Sequence, residues 1–234
     1  MILLALETAT TTCGVAVLHD DDVVAQAHLQ RSRVHSERLT PLVEDALRHA
    51  DVRAAALDAV AVSMGPGSYT GLRIGVSTAK GWALANDAAL VGVPTLDAYA
   101  AQMRPVAVPG DVVCALLYAR RDEVYAGARR AVMGGMETHA PTKALPISAL
   151  PDWLGAVDGR LWLVGDGAAK AQEALAAVNA PQTMVPAGDV PPSAAWVARR
   201  GQARLAQNGP DDIASFEPFY VKEVHATPEP SPFA

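Results

Sequence analysis

Over the first thirty positions the apolar residues come in short runs, Ile2 to Leu6, Cys13 to Leu18 and Val23 to Leu29, separated by the polar stretches "ETATTT" and "HDDD". Runs of this length between turn-forming residues predict three strands, with Asp20-Asp21-Asp22 joining the second and third as a hairpin. The period then changes. Leu39, Leu42, Val43, Ala46, Leu47 and Ala50 recur at helical spacing, which predicts an amphipathic helix with Ser36 as its candidate cap. Asp58 to Met64 reads as a strand rich in β-branched residues, and a glycine-rich junction leads into a second helix ending near Asn86. That helix is apolar around most of its circumference, which suits either a central position or a partner's cover. Ala89 to Pro94 reads as another strand and "TLDAYAAQM" as the start of a third helix.

Prolines and glycine break the pattern between Pro105 and Asp111. Beyond it, "VVCALLYA" and "EVYAGARRAV" predict a strand pair turning at Arg120-Arg121-Asp122, followed by a stretch interrupted by Gly and Pro. A strand over Leu161 to Gly167 and helices over Ala168 to Asn179 and Ser193 to Asn208 complete the pattern. The expected organisation is a first lobe over 1–106, a smaller αβ lobe over 107–222 whose last helix packs back on the first, and a Pro-rich disordered tail over 223–234. The order β-β-β-α-β-α-β-α is not a Rossmann alternation; antiparallel strands feeding crossover strands make mixed sheets. The fold class expected is α/β, of the two-lobed actin-like and sugar-kinase-like (ASKHA) kind.

Composition narrows the function classes. Half of the 234 residues are hydrophobic and 19% are charged, as in a globular protein. A net charge of -6 and a pI near 5.5 argue against nucleic-acid binding by this chain alone. Two cysteines suit a reducing compartment, and no stretch reads as a signal peptide or a membrane span. The expectation is a soluble cytoplasmic protein.

Two loops are candidates for phosphate binding. "SMGPGSYTGLRIG" (Ser63 to Gly75) has neither the spacing nor the lysine of a Walker A loop, and it also fails G-x-G-x-x-G. It reads either as an anion nest made by Gly65, Gly67 and Ser68 at a helix start, or as a tight turn whose small residues allow close packing; the second reading is favoured. The Thr-rich turn from Glu7 through Thr8, Thr10 and Thr11 stands where actin-like ATPases place an acid and hydroxyls. It reads equally as a polar hairpin loop. No histidine pair has metal-binding spacing, and H-E-x-x-H and G-x-S-x-G are both missing, so no catalytic or metal residue is nominated and peptidase chemistry is rejected.

"GPGSYTGLRIGVSTAKGWALA", with "ILLALETATTTCGVAVL" and "HSERLTPLVEDAL" before it and "LVGVPTLDAYA" after it, closely resembles the TsaB (YeaZ) family. "YARRDEVYAGARR" and "FEPFYVKEVHA" extend the resemblance over nearly the whole chain. The resemblance implies a catalytically degenerate actin-like fold and a non-catalytic role in placing threonylcarbamoyl on the adenosine beside the anticodon of ANN-decoding tRNAs. It implies a TsaD-type paralogue as heterodimer partner, a TsaE-type ATPase in a larger complex, indirect contact with tRNA and a homodimer when alone. Docking is expected through the two helices starting near Ser36 and Tyr69. The residues taken for it are Arg38, Leu39, Leu42, Val43 and Ala46 of the first, and Tyr69, Gly71, Leu72, Arg73, Gly75, Val76 and Ala79 of the second. The two histidine places of the paralogue's His-x-x-x-His motif correspond here to Thr95 and Tyr99, poor ligands for a transition metal. No cofactor is required on this reading, with ATP or ADP at the cleft or interface left open. The rival reading is an actin-like ATPase or kinase using Glu7 to Gly14 and Gly65 to Gly71 for phosphates.

Overall fold

The computed structural model describes residues 1–31, 34–177, 184–186 and 190–222. The same motif occurs twice. β1 (Ile2–Glu7), β2 (Thr12–His19) and β3 (Asp22–Gln30) form an antiparallel meander, followed by α1 (His35–His49). β4 (Ala59–Gly65), α2 (Tyr69–Ala85), β5 (Ala89–Pro94) and α3 (Thr95–Ala101) then add two strands parallel to β1. The first sheet therefore has the order β3-β2-β1-β4-β5. In the second sheet β6 (Val112–Tyr118), β7 (Glu123–Val132) and β8 (Gly135–Pro146) repeat the meander. After α4 (Leu150–Leu154), strands β9 (Leu161–Val164) and β10 (Met184–Pro186) lie parallel to β6 and to each other, separated by α5 (Ala168–Ala177). Its order, β8-β7-β6-β9-β10, matches the first, and this repeated mixed sheet is the actin-like arrangement.

Strand residues alternate between two cores. Leu4, Leu6, Val15, Val60 and Val62 face Leu39, Val43, Leu47 and Val76 of α1 and α2. Leu3, Ala5, Leu18, Val91 and Val93 face Ala98 of α3 and Ala194, Val197 and Ala198 of α6 (Ala194–Asn208). Burial on both faces explains why these strands read as continuous apolar runs. The helix α3 also packs Leu96, Tyr99, Ala100 and Met103 on Val113, Ala115 and Leu117 of the second sheet. The other face of that sheet carries Val112, Cys114 and Leu163 against Leu150, Leu154 and Leu175. Thus α3 and α6 lie between the sheets, and α1 and α2 cover the outer face of the first.

From Asp211 the chain runs as a strap over the first sheet. Asp211 pairs with Arg204, accepts from the Gly92 N–H at 2.7 Å and donates its own N–H to the Leu90 carbonyl at 2.8 Å. The ring of Phe216 lies so close to Gly92 that a Cβ there would stand 2.5 Å from it. Further on, the Phe219 N–H donates to Met64 O at 2.7 Å, and Lys222 pairs with Glu123 of β7.

Three local expectations are revised. Ser36 does not cap α1: the helix starts at His35, whose Nε2 donates to the Thr12 carbonyl at 3.0 Å, leaving Ser36 exposed in the first turn. The interrupted stretch after Val132 is the long edge strand β8. Its Pro141 falls at a register shift, where a missing N–H costs no ladder bond. The short α4 and β10 are too brief to show a period. The expected tail at 223–234 and the end of the helix drawn to Asn179 lie outside the described residues. Among the described residues no helix is long and apolar enough to cross a membrane.

Candidate functional site

The two candidate phosphate loops pack directly on each other. Glu7 ends β1 fully buried, with Oε1 accepting from the Ala9 N–H at 2.7 Å and Oε2 from the Ser63 hydroxyl. Burial pushes its carboxyl up to about 7, against the opposing pull of those two hydrogen bonds. Thr8 is also fully buried, and Thr10 uses its hydroxyl to accept from the Thr12 N–H at 3.2 Å; only Thr11 is exposed.

From the other side, Ser68 spends both its polar groups on structure. Its N–H donates to the Ala9 carbonyl at 2.7 Å, and its hydroxyl caps α2 by accepting from the Gly71 N–H at 3.3 Å. A Cβ at Gly67 would stand 2.2 Å from the Ala9 carbonyl oxygen, and one at Gly71 would stand 2.1 Å from that of Thr8. At Gly75 it would meet the Thr8 hydroxyl at 2.1 Å. Gly65, at φ 126°, holds the strap in the same way, its missing Cβ 2.2 Å from the Phe219 carbonyl oxygen. The glycines therefore seat one backbone on another. Of the nucleotide candidates, Glu7, Thr10, Gly65, Gly67 and Ser68 make the contacts within the chain just described, whereas the buried Thr8 hydroxyl has no hydrogen-bond partner among the described residues and Thr11 is exposed.

The positions corresponding to the paralogue's histidines are also internal. The hydroxyl of Thr95 accepts from the Gly65 N–H at 3.2 Å, and Tyr99 is buried in the core between the sheets. Among the described residues no group of three His, Cys, Asp or Glu could hold a metal ion. Burial pushes the thiols of Cys13 and Cys114 up to about 11 and about 12, far from the reactive range.

The helix pair is divided sharply between core and surface. Leu39, Val43, Ala46, Gly71, Leu72, Gly75, Val76 and Ala79, eight of the expected docking residues, are buried inside this chain and lie off its surface. Arg38, Tyr69 and Arg73 are exposed, and Leu42 is half-buried. The outward side of α2 is a stripe at helical spacing: Tyr69, Arg73, Ser77, Gly81 and Leu84. Leu84 is 74% exposed, an aliphatic side chain on the far side of the helix from the core. One flank of this stripe is a groove lined by Thr40, Ala54, Thr78, Trp82 and Ala85. Sequence periodicity missed Leu84 and Trp82 as surface residues because α2 is apolar almost all round.

A family model described as "TsaD: tRNA N6-adenosine threonylcarbamoyltransferase" matches residues 26–148. The chain is 34% identical over 154 residues to the tRNA threonylcarbamoyladenosine biosynthesis protein TsaB of Bacillus subtilis (strain 168), covering 66% of this chain and 65% of that one. Against the protein of the same name from Escherichia coli (strain K12), identity is 41% over 96 residues, 41% of either chain. The alignments thus span less than two thirds of the length of these curated relatives. A solved structure from Pseudomonas aeruginosa, described as an uncharacterized protein with similarity to peptidase YEAZ, superposes with a TM-score of 0.83 at 27% identity. That superposition covers 94% of this chain and 99% of the other.

Proposed function

We propose, because this chain belongs to the TsaB (YeaZ) family, that it is a non-catalytic subunit in the biosynthesis of threonylcarbamoyladenosine in tRNA. It works in the cytoplasm by docking to a TsaD-type transferase and supporting it. The observation that carries this reading is the division of α2. One side is locked into the core by the Thr8–Ala9 loop, and the other presents Leu84 and Arg73 beside an apolar groove. A large apolar side chain exposed to water on the outer face of a helix is surface that a partner would bury. The Glu7 carboxylate and the Ser68 hydroxyl are meanwhile hydrogen-bonded within the chain beside that helix's start. A TsaE-type ATPase and tRNA are reached through the complex, and in the partner's absence the same face pairs two copies of this chain.

The test is association of the full chain with the purified transferase subunit. Wild type is expected to form a stable complex. Leu84→Glu places a charge in the buried interface and is expected to weaken binding at least roughly 10-fold, about 1.4 kcal/mol, while leaving the melting temperature unchanged. Failure of wild type to bind, or normal threonylcarbamoyladenosine in tRNA from depleted cells, sinks the reading. ATP turnover by the isolated chain, lost in Glu7→Gln, would replace it with the ATPase reading.

A further inference from the structure

The other flank of the exposed α2 stripe is built by the far end of the chain. The ring of Tyr220 lies 5.2 Å from that of Tyr69, tilted by 35°. The Arg73 guanidinium stands over the Tyr69 ring at 5.4 Å and donates to its hydroxyl at 2.7 Å. Tyr69 is 43% exposed, so its ring, the Tyr220 ring against it and the Arg73 guanidinium share one patch of surface, and Phe219, the neighbour of Tyr220 along the strap, is 44% exposed. The strap beneath them is anchored by main-chain and buried contacts. Lys80 of α2 donates to the carbonyls of Ala214 and Phe216 at 3.3 and 3.1 Å, and Phe219 is held on Met64 through its N–H.

Resting on the docking reading above, we infer that the strap is a third element of that docking surface and that the Tyr69–Arg73–Tyr220 cluster, with Phe219, forms a binding centre for the transferase subunit. Aromatic and Arg side chains dominate interface energetics, and those already fixed in place lose little freedom on binding. The patch is continuous with the α2 stripe, since Tyr69 and Arg73 belong to both. Its chemistry fits a partner surface that offers an apolar pocket for the rings and a carboxylate for the Arg73 donors left free by Tyr69. The motif "FEPFYVK" gains a role in this way, with Phe216 seating the strap and Phe219 and Tyr220 facing the partner.

Calorimetric titration of the full chain with the purified transferase subunit tests this. Tyr220→Ala is expected to raise Kd at least roughly 10-fold with an unchanged melting temperature, because no core contact is removed. Tyr220→Phe keeps the ring and is expected to bind like wild type. Lys222→Ala frees the strap from Glu123 without touching the rings and is also expected to bind like wild type. If Tyr220→Ala binds as wild type while Leu84→Glu does not, the strap inference is wrong and the docking reading stands. Equal loss in Lys222→Ala also overturns the inference, since the strap would then act by tying the sheets together. If wild type itself does not bind, the docking reading falls and takes the strap with it.

Discussion

Gly71→Ala is expected to lower folding stability by about 2 to 3 kcal/mol and the melting temperature by roughly 4–12 °C. Helix propensity alone predicts the opposite sign, since alanine is better than glycine in a helix by about 1 kcal/mol. The geometry overrules it. The added Cβ would stand 2.1 Å from the Thr8 carbonyl oxygen, a backbone atom, so the loop or the helix must move. Gly81 on the same helix is the internal control, having nothing within 4 Å of its Cβ position. Gly81→Ala is expected to raise stability by roughly 0.5–1 kcal/mol. Thermal unfolding of both variants gives the comparison. Two shifts of the same sign would remove the case that the glycines serve backbone packing.

The second large effect is a pH dependence centred on Glu7. Its carboxyl titrates near 7 in the folded chain because burial disfavours the charged form, against 4.5 for a free glutamate side chain. Between these two values the folded chain holds a proton that the unfolded chain has released, so raising the pH favours unfolding. The stabilisation is complete below about pH 4.5 and is lost as pH rises through 7, a total of roughly 3 kcal/mol. Asp111, held at about 2 by Arg160, Trp162 and backbone donors, titrates below this window and does not confound it. Urea unfolding at pH 5 and pH 8 is expected to show this fall for wild type but not for Glu7→Gln, which carries no titrating group. Identical pH profiles for the two proteins would show that Glu7 keeps its ordinary titration and that its burial is relieved in solution.

Both predictions concern the two loops considered for phosphate binding, with Glu7 a candidate ligand and Gly71 an expected docking residue, and the packing of one loop on the other was only half legible. The missing Walker lysine is a local fact, readable from Gly65 to Arg73. That Gly67 and Gly71 make room for the carbonyls of Ala9 and Thr8 is a contact between segments far apart in the chain. The docking residues show the same limit. The stripe of α1 is amphipathic, and its buried positions Leu39, Val43, Ala46 and Leu47 are those the spacing marks as the inner face. For α2 the apolar residues cover too much of the circumference for periodicity to choose a side, so Leu72 and Leu84 look alike in sequence. One is fully buried and the other mostly exposed.

What the sequence determined by itself was the succession of strands and helices in the first sheet and the hairpins. These are short-range properties, set by side-chain periodicity and turn chemistry within a few residues. Only the tertiary structure decided which side of α2 meets water, why Glu7 must be buried, and that Tyr220 stands beside Tyr69. Those outcomes depend on which surfaces the two sheets and the strap cover, and covering is a property of the whole packed chain.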